Sequence, residues 1–339
     1  MEVLEFRTRP NTAASQVIAH AAVGEADRAL WQLAEALEDL DYRFTCITPD
    51  THARVAARRD GDGARTLRDV FGWSLPFDEG DLPSEILHLL REARAVYSVG
   101  GRLKSLVRFA TFKQTLLVHS AWPTNANDSV FFGPDTYRFA SLIEQALSAV
   151  PPRSTRTVVD VGCGTGAGGI LVAQLGADEH TKVLFTDINE QALRYARINA
   201  LHAAVPNFSC LRSDVLSEVR DPIDLIIANP PYLLDPEQRA YRHGGGSLGT
   251  GLSLRIVNES MPRLSAGGQL ILYTASPIVD GVDTLQQQLS ALFDSASARR
   301  AFTYEYREID PDVFGLELDH PAYARVERIA VVGLTLRIS

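Results

Sequence analysis

The chain has 339 residues, of which 45% are hydrophobic and 22% are charged, and its formal net charge is −9. This balance is typical of globular proteins, and the length suits one large domain or a catalytic domain with a smaller companion. A net acidic chain disfavours broad, sequence-independent nucleic-acid binding, although a local basic patch escapes this average.

Cysteine usage and hydropathy point to the same kind of compartment. The three cysteines, Cys46, Cys163 and Cys210, are widely spaced and form no Cys-x-x-Cys pair, which is typical of a reducing environment. The first residues lack the apolar core of a signal peptide, and no run approaches the roughly 18 apolar residues of a membrane span. We therefore expect a soluble, cytoplasmic protein with no membrane partner.

The first part of the chain predicts a small α+β module. Leucines recur at helical spacing over 24–42, and a second helical pattern covers 83–96. The polar residues around 58–69 favour a loop with a short helix, and 106–119 predicts one or two strands. We expect residues 1–130 to form a separate module that selects the substrate.

The rest of the chain, residues 131–339, predicts a catalytic domain in which strands and helices alternate. A helix is expected to begin near Asp135, after a linker. The predicted strands are 157–161, 183–186, 208–212, 225–228, 270–274, 302–308 and 328–337. The predicted helices that follow the first one are 166–176, 189–203, 250–264 and 280–294. This order predicts an α/β fold with a seven-stranded, mostly parallel sheet and helices on both faces.

A glycine-rich turn lies between the first strand of this sheet and its helix. Gly162, Gly164 and Gly166 let the backbone turn tightly and let a ligand approach it, while the helix that follows presents free N–H groups. A literal Gly-x-Gly-x-x-Gly pattern also runs from Gly164 to Gly169, which would suit a dinucleotide such as NAD, but this pattern alone is weak.

Acidic residues at the strand ends favour S-adenosylmethionine over NAD. Asp160 precedes the glycines, where it would meet the ammonium of an amino-acid ligand and repel a pyrophosphate. Asp187 would accept hydrogen bonds from the ribose hydroxyls, and Asp214 from an adenine amine, with the Val215 backbone reading the ring edge. Ile188 belongs to the same predicted cofactor-binding set.

The sequence Asn229-Pro230-Pro231-Tyr232 follows the apolar strand 225–228. Two prolines cannot continue a central strand, so the chain turns out at its carboxyl end, where open α/β sheets place their ligands. Asn229 supplies an amide oxygen, Pro230 a carbonyl and Tyr232 a flat ring. Together they suit a planar substrate with an –NH₂ group or an amide N–H.

These four motifs occur in the order found in class I methyltransferases that use S-adenosylmethionine. DVGCGTG, TDIN, SDV and NPPY together resemble the group that includes protein-glutamine N5-methyltransferases and adenine or guanine N-methyltransferases. The resemblance covers about 130–275. It implies a Rossmann-like fold, S-adenosylmethionine as cofactor with S-adenosylhomocysteine as product, and catalysis by Asn229, Pro230 and Tyr232.

The same resemblance implies further substrate contacts. Pro134, Asp135 and Thr136 match the Pro-acid-Thr core of a segment that borders the cofactor in the glutamine methyltransferases. The glycine-rich loop over 242–254 is similar to a loop that closes over substrate in that group, which makes His243 and Pro231 candidate substrate contacts.

Several alternatives stay open from the residues themselves. Asp187 taken alone is more typical of a helix N-cap, Tyr232 also suits core packing, and Cys163 suits a small space-filler. The acceptor is a protein amide, a nucleic-acid base or a small metabolite, and transfer of another carbon group of S-adenosylmethionine is a further possibility. Two hypotheses outside the methyltransferase class also stay open: an NAD-dependent oxidoreductase and a non-catalytic scaffold.

The sequence says less about binding partners and metals than about the cofactor. The segment 91–113 holds six basic residues and one acid, which favours a solvated or ion-paired surface over an RNA or acidic-partner patch. His119, His202, His243 and His320 lack metal-ligand spacing, so no metal is predicted. The sequence indicates no oligomeric state.

Overall fold

The computed structural model describes residues 24–59, 64, 66–148, 157–176, 181–235, 239, 241–297 and 300–339. Parts of two predicted segments lie outside the described residues: 1–23 of the amino-terminal module, and 60–63 and 65 of the loop predicted around 58–69.

The described residues of the amino-terminal part form four helices and two β-hairpins. The helices are α1 (Glu25–Asp39), α2 (Pro49–Arg58), α3 (Leu67–Phe71) and α4 (Ser84–Glu92), with a 3-10 turn at Glu79–Asp81. The strands are β1 (Val96–Val99), β2 (Arg102–Ser105), β3 (Val107–Phe112) and β4 (Thr115–Ser120), and β1 pairs with β2 and β3 with β4 in antiparallel fashion.

Local chemistry explains these boundaries. Helix α2 begins with a proline, and the Thr48 side chain caps it by accepting from the Thr51 N–H. The helix predicted over 83–96 ends earlier, at Glu92, because Arg94 adopts a left-handed φ of 53° and the chain then enters β1. The two strands predicted within 106–119 are β3 and β4.

The second part is built around one twisted sheet. Its strands are β5 (Thr157–Val161), β6 (Lys182–Asp187), β7 (Phe208–Arg212), β8 (Ile223–Ala228), β9 (Leu264–Val279), β10 (Val282–Asp283), β11 (Phe302–Asp310) and β12 (Val326–Ile338). Its helices are α5 (Pro134–Ser148), α6 (Ala167–Gln174), α7 (Glu190–His202), α8 (Gly251–Arg263) and α9 (Thr284–Ser297).

The strand order confirms the predicted α/β fold. Seven strands run in the order β11-β12-β9-β8-β5-β6-β7, and the two-residue β10 pairs with β9 as an eighth. The five neighbouring strands β9, β8, β5, β6 and β7 are mutually parallel. At one side of the sheet, β12 runs antiparallel to β9, and β11 runs antiparallel to β12. Strand β9 is longer than the predicted 270–274 because β12 pairs along most of its length.

The apolar run of β8 is buried on both faces of the sheet. Leu225 and Ile227 pack into the apolar cluster that contains α5, α6 and α7, whereas Ile226 and Ala228 pack into the cluster that contains α8 and α9. A strand covered on both faces needs no polar alternation, which explains its continuous apolar sequence.

The amino-terminal part packs on the α7 side of the sheet. Its buried leucines, phenylalanines and valines share one continuous apolar cluster with α5, α6 and α7. Asn199 on α7 accepts from the Val118 N–H at 2.8 Å and donates to the carbonyls of Val118 and Thr165 at 3.0 and 2.9 Å. One amide therefore joins β4 to the loop that follows β5. The domain boundary near residue 130 stays a prediction.

Replacing Asn199 by alanine should lower the free energy of unfolding by roughly 3 kcal/mol, because three buried backbone groups lose their partner. Urea denaturation measures this change. The matched control is Asn207→Ala, at an exposed position, which should change stability by less than about 0.5 kcal/mol. Equal effects of the two substitutions would contradict a joining role for Asn199.

Candidate active site at the carboxyl ends of β5, β6 and β8

The register of three neighbouring strands brings the predicted motifs to one edge of the sheet. Val161 of β5 pairs with Thr186 of β6 and with Ala228 of β8. The next residues along the chain, Gly162, Asp187 and Asn229, therefore leave the sheet at the same level. This is the edge at which open α/β sheets bind ligands.

The glycine loop is shaped by positive φ angles. Gly162 and Gly164 have φ of 64° and 52°, and a Cβ atom at either position would meet no atom within 4 Å. The loop is anchored from below, where the Cys163 N–H donates to the Thr186 carbonyl at 3.0 Å. Gly166, with φ of 78°, is the N-cap of α6. Open space therefore lies above two backbone turns that only glycine adopts without strain.

Asp160 lies beneath this loop. It is 2% exposed, and its Oδ2 atom accepts from the Gly169 N–H in the first turn of α6 at 2.8 Å. Burial, opposed by this hydrogen bond, raises the pKa of Asp160 to about 7. Its observed contact holds the first turn of α6, and its predicted contact with a ligand ammonium stays a prediction.

Asp187 lies at the carboxyl end of β6 and is half-buried. Its two oxygens accept from the Gly164 N–H at 3.1 Å and from the Asn189 N–H at 2.9 Å. The N-cap of α7 is Asn189, so Asp187 does not cap this helix. Asp187 lies beside the glycine loop, to which it is hydrogen-bonded through Gly164. Burial raises the pKa of Asp187 above its ordinary value. Ile188 next to it is 52% exposed and thus accessible to a ligand.

The third predicted aspartate lies further out. Asp214 is exposed and forms an ion pair with Arg255 on α8 at 2.8 Å. Val215 is buried and has a left-handed φ of 53°. This turn follows β7, whose Arg212 pairs with Asp187, so it continues the same edge of the sheet. The adenine contact of Asp214 stays a prediction.

Asn229 is half-buried at the end of β8, and none of the described residues hydrogen-bonds to its side-chain amide. Pro230 is buried and Pro231 half-buried. The strand ends at Ala228, as two consecutive prolines require. The Asn229 amide is therefore left with its hydrogen-bonding capacity at the sheet edge.

Tyr232 is held from behind by aromatic rings and a carboxylate. Its ring lies 6.5 Å from that of Tyr273 and 5.8 Å from that of Phe314. Burial, and then the charge of Asp135, raises the pKa of Tyr232 well above its ordinary value. Tyr273 donates to Asp135 at 2.7 Å, and Arg138 lies 3.2 Å from the same oxygen. Tyr232 is thus a fixed part of the protein interior, with 8% of its surface exposed.

The hydrogen bond between Tyr273 and Asp135 places the start of α5 next to Tyr232 and Tyr273. Asp135, within the first turn of α5, is buried against Tyr273, while Pro134 and Thr136 beside it are half-buried. Sequence reasoning placed this segment near the site from resemblance but missed Tyr273 and Phe314. Tyr273 lies within an apolar strand and Phe314 after β11, where no motif marked them.

The glycine-rich loop after Tyr232 is packed against the NPPY backbone. A Cβ on Gly244 would lie 2.7 Å from the Pro231 carbonyl oxygen, and one on Gly249 would collide with the backbone of Tyr232. Leu233 forms an isolated parallel bridge with His243. His243 accepts from the Asp235 N–H through Nδ1 at 3.2 Å. The glycines are needed here because two backbone segments touch, and the lid role of this loop and the substrate role of His243 stay predictions.

The basic residues of 91–113 do not form one patch. Arg91 pairs with Glu79, Arg102 with Asp78 at 3.2 Å and Lys113 with Glu144 at 2.7 Å. Arg108 is buried. The observed pairs match the favoured interpretation, an ion-paired surface, and RNA binding by this segment stays a prediction.

The described residues contain no group of three or more His, Cys, Asp or Glu side chains placed to hold a metal ion. None of their helices is both long enough and apolar enough to cross a membrane.

The chain matches known proteins over its central part. Residues 140–298 match the family described as the methyltransferase small domain. This part of the chain is therefore similar to methyltransferase domains. The matched range contains the glycine loop, all three strand-end aspartates and the NPPY sequence.

Curated relatives of this domain carry one recurring name. The release factor glutamine methyltransferase of Rhodopirellula baltica is 34% identical over 161 residues, which cover 43% of this chain and 53% of that protein. The enzyme of the same name from Bradyrhizobium diazoefficiens is 25% identical over 258 residues, covering 71% and 86%. The chain spans about half the length of the first two relatives that it matches.

Among solved structures, a tRNA methyltransferase of M. jannaschii is 15% identical, with a TM-score of 0.45 over 70% of this chain and 60% of that one.

The buried Asp160 should make stability depend on pH. Its pKa of about 7 lies above the ordinary 3.8, so its contribution to stability is present in full below pH 4 and is lost as the pH rises through 7. Relative to Asp160→Asn, the wild type should lose roughly 3 kcal/mol of unfolding free energy between pH 5 and pH 8. Urea denaturation of both proteins at each pH tests this. Asp214→Asn, at an exposed position, is the control, and parallel pH curves for wild type and Asp160→Asn would refute the assignment.

Substituting Gly244 by alanine should push the loop away from the NPPY backbone and cost roughly 1–3 kcal/mol of stability, because the new Cβ meets backbone atoms that cannot rotate away. Thermal unfolding measures the loss. Gly80→Ala is the matched control, since a Cβ there meets nothing within 4 Å. An unchanged unfolding temperature for Gly244→Ala would show that this packing is not required.

Proposed function

We propose that this protein transfers a methyl group from S-adenosylmethionine to a planar amide nitrogen, and that the acceptor is a glutamine side chain of a protein. The observation that carries the proposal is the placement of Asn229. Its side-chain amide, with no partner among the described residues, leaves β8 at the same level as the glycine loop after β5.

The residues at the sheet edge fit this cofactor. Gly162 and Gly164 leave open space over backbone that a bulky side chain would block. Asp187 would hold the ribose hydroxyls, since each of its oxygens has lone-pair capacity beyond the N–H it already accepts. Ile188 and Val215 would flank the adenine, and Asp160 would lie on the side of the ammonium. When bound, S-adenosylmethionine supplies a methyl group on a sulfonium already activated toward nucleophiles.

The NPPY residues would prepare the acceptor nitrogen. An amide nitrogen is a poor nucleophile because its lone pair is delocalised into the carbonyl. Hydrogen bonds from its N–H groups to the Asn229 oxygen and the Pro230 carbonyl would raise the electron density on nitrogen and orient the lone pair. Proline fixes the φ angle at Pro230 and Pro231, so these acceptors are held before substrate arrives.

Tyr232 would form one wall of the acceptor site. Its ring is buried against those of Tyr273 and Phe314, which restrict its orientation. A fixed flat wall would restrict the amide plane. No strong general base is needed, because the proton leaves after the nitrogen has been alkylated.

The relatives support the choice of acceptor. Both cited relatives are named for glutamine methylation of release factors, which are proteins. The remaining candidates draw no such support: three basic side chains of 91–113, those of Arg91, Arg102 and Lys113, are ion-paired. The tight fit of Gly169 against Phe185 is a packing reason for the third glycine of the NAD-like pattern. The amino-terminal part would select the protein that carries the glutamine.

Replacing Asn229 by alanine should lower turnover by at least about 100-fold while leaving affinity for S-adenosylhomocysteine within about twofold. The lost acceptor acts on the substrate nitrogen, and the glycine loop is untouched. Titration calorimetry measures affinity, and transfer of labelled methyl to protein measures turnover. Asn207→Ala is the control for an exposed asparagine. Unchanged turnover in Asn229→Ala would overturn the mechanism.

The acceptor class is tested directly by incubating a cell extract with the protein and methyl-labelled S-adenosylmethionine. Label is expected in the protein fraction, and peptide mass spectrometry should place one added methylene on a glutamine side chain. A bacterial release factor and its variant with the modified glutamine replaced by asparagine then serve as defined substrates. Label confined to RNA or to small molecules would refute a protein acceptor.

A further inference from the structure

One edge of the large sheet is formed by β11, which pairs on one side only. Its neighbour is β12, and no strand of the described residues lies beyond it. β11 is nine residues long and contains no proline, whereas β7 at the opposite edge is five residues long. A long edge strand presents unpaired backbone N–H and C=O groups to other chains, which proteins commonly avoid with short strands or prolines. β11 therefore has the form of a strand that can pair further.

The hydrogen-bond pattern shows which backbone groups of β11 face outward. The Ser339 N–H donates to the Ala301 carbonyl at 3.1 Å, which makes these two a hydrogen-bonded pair. Because hydrogen-bonded and non-hydrogen-bonded pairs alternate along an antiparallel ladder, the odd-numbered residues from Ala301 to Arg307 turn their backbone groups toward β12. Tyr304 and Tyr306 turn theirs away from β12, and no group of the described residues is hydrogen-bonded to the backbone of either on that side.

The side chains of β11 divide between the two faces of the sheet. On the α9 side, the centroids of the Tyr304 and Phe293 rings are 4.5 Å apart, yet Tyr304 is 50% exposed. On the α5 side, the exposed Arg307 donates to the Gln145 side chain. Glu305, two positions earlier and on the same side, is exposed and has no hydrogen-bond or ion-pair partner among the described residues. One face of the open edge therefore carries an acid and a base two residues apart.

This spacing is self-complementary. When two copies of β11 pair antiparallel about a two-fold axis at Tyr306, Glu305 of each copy lies opposite Arg307 of the partner subunit, and outward-facing backbone groups meet. Neighbouring registers lose this match. An axis at Glu305 sets two glutamates opposite each other, an axis at Arg307 sets two arginines opposite each other, and an axis at Tyr304 sets Glu305 opposite Thr303. Opposite charges across a strand pair stabilise it and like charges destabilise it, so charge favours one register.

We propose that β11 is a dimer interface, at which two copies of this chain join their sheets edge to edge. The outward N–H and C=O groups of Tyr304 and Tyr306 pair with the second copy, as in other cases of strand addition. The two Glu305–Arg307 contacts fix the register. On the α9 face, each exposed Tyr304 ring lies diagonal to Tyr306 of the partner subunit, within reach of an aromatic side chain. Because the same strand serves both copies, the interface is isologous and the assembly closes at two.

The proposed interface lies outside the methyl-transfer site. None of the residues from Phe302 to Glu308 was assigned to the cofactor or to the acceptor. Dimer formation is therefore measured without activity, and its absence would leave the proposed function unaffected.

The test is the mass of the full-length protein in solution, measured by sedimentation equilibrium over a range of concentrations. The wild type should approach twice the mass of one chain as its concentration rises, in agreement with a monomer–dimer equilibrium. The mass of one chain at every concentration, or assembly beyond two copies, would overturn the proposal.

Charge reversal locates the interface. Glu305→Arg and Arg307→Glu each place two like-charged contacts across the two-fold axis, and each should raise the dimer dissociation constant by at least about tenfold. The double variant restores two opposite-charge contacts with their signs exchanged, and its constant should return to within about threefold of the wild type. Arg212→Glu, an exposed charge on the edge strand β7, is the matched control and should leave the dimer unchanged. Single variants that dimerise like the wild type, or a double variant no tighter than the singles, would refute the assignment.

Proline tests the backbone pairing separately. Tyr304→Pro removes an outward N–H and leaves the hydrogen bonds to β12 in place, so this variant should fold and be monomeric. Tyr304→Ala loses the same ring but keeps the N–H, and it should still dimerise. Circular dichroism shows whether both variants are folded. A folded Tyr304→Pro variant that dimerises as tightly as Tyr304→Ala would contradict strand pairing at this edge.

Discussion

The pairing of β5 with β6 on one side and β8 on the other is the constraint on which the site depends. Because Val161 is in register with both Thr186 and Ala228, the glycine loop, Asp187 and Asn229 emerge side by side. A slip of one residue in either pairing would turn the following side chains to the opposite face of the sheet. The two-sided burial of these strands makes such a slip costly, since it would displace apolar residues from two separate clusters.

Behind this edge, the NPPY sequence is held by packing, and no described residue hydrogen-bonds to the Asn229 side chain. Gly244 and Gly249 let a second backbone segment touch residues 231–233. Tyr232 packs against the rings of Tyr273 and Phe314. The Asn229 amide has no hydrogen-bond partner among the described residues, while the backbone around it is closely packed, which is the arrangement expected of a preorganised binding site.

The amino-terminal part contributes to the same rigidity. Asn199 satisfies both backbone groups of Val118 and the carbonyl of Thr165, so a hairpin of that part is bonded to the loop that follows β5. Two buried charged groups differ in how they are accommodated. Asp160 has a backbone N–H partner and a raised pKa, whereas Arg108 cannot lose its proton and has no described carboxylate beside it. In this structure Asp160 holds the first turn of α6, and Arg108 contacts the Phe44 ring and the Cys46 sulfur.

The sequence by itself determined the strands of a mostly parallel sheet and the positions of the motifs, because apolar periodicity, glycine turns and the two prolines after Ala228 are local signals. Tertiary structure decided the order in which the strands lie in the sheet. The resemblance carried by those motifs added the methyltransferase class. Tertiary structure alone decided that Tyr232 is backed by Tyr273 and Phe314, and that Arg108, counted in the sequence with exposed basic residues, is buried. These are contacts between segments far apart in the chain, and no local pattern encodes which side chain will face another after folding.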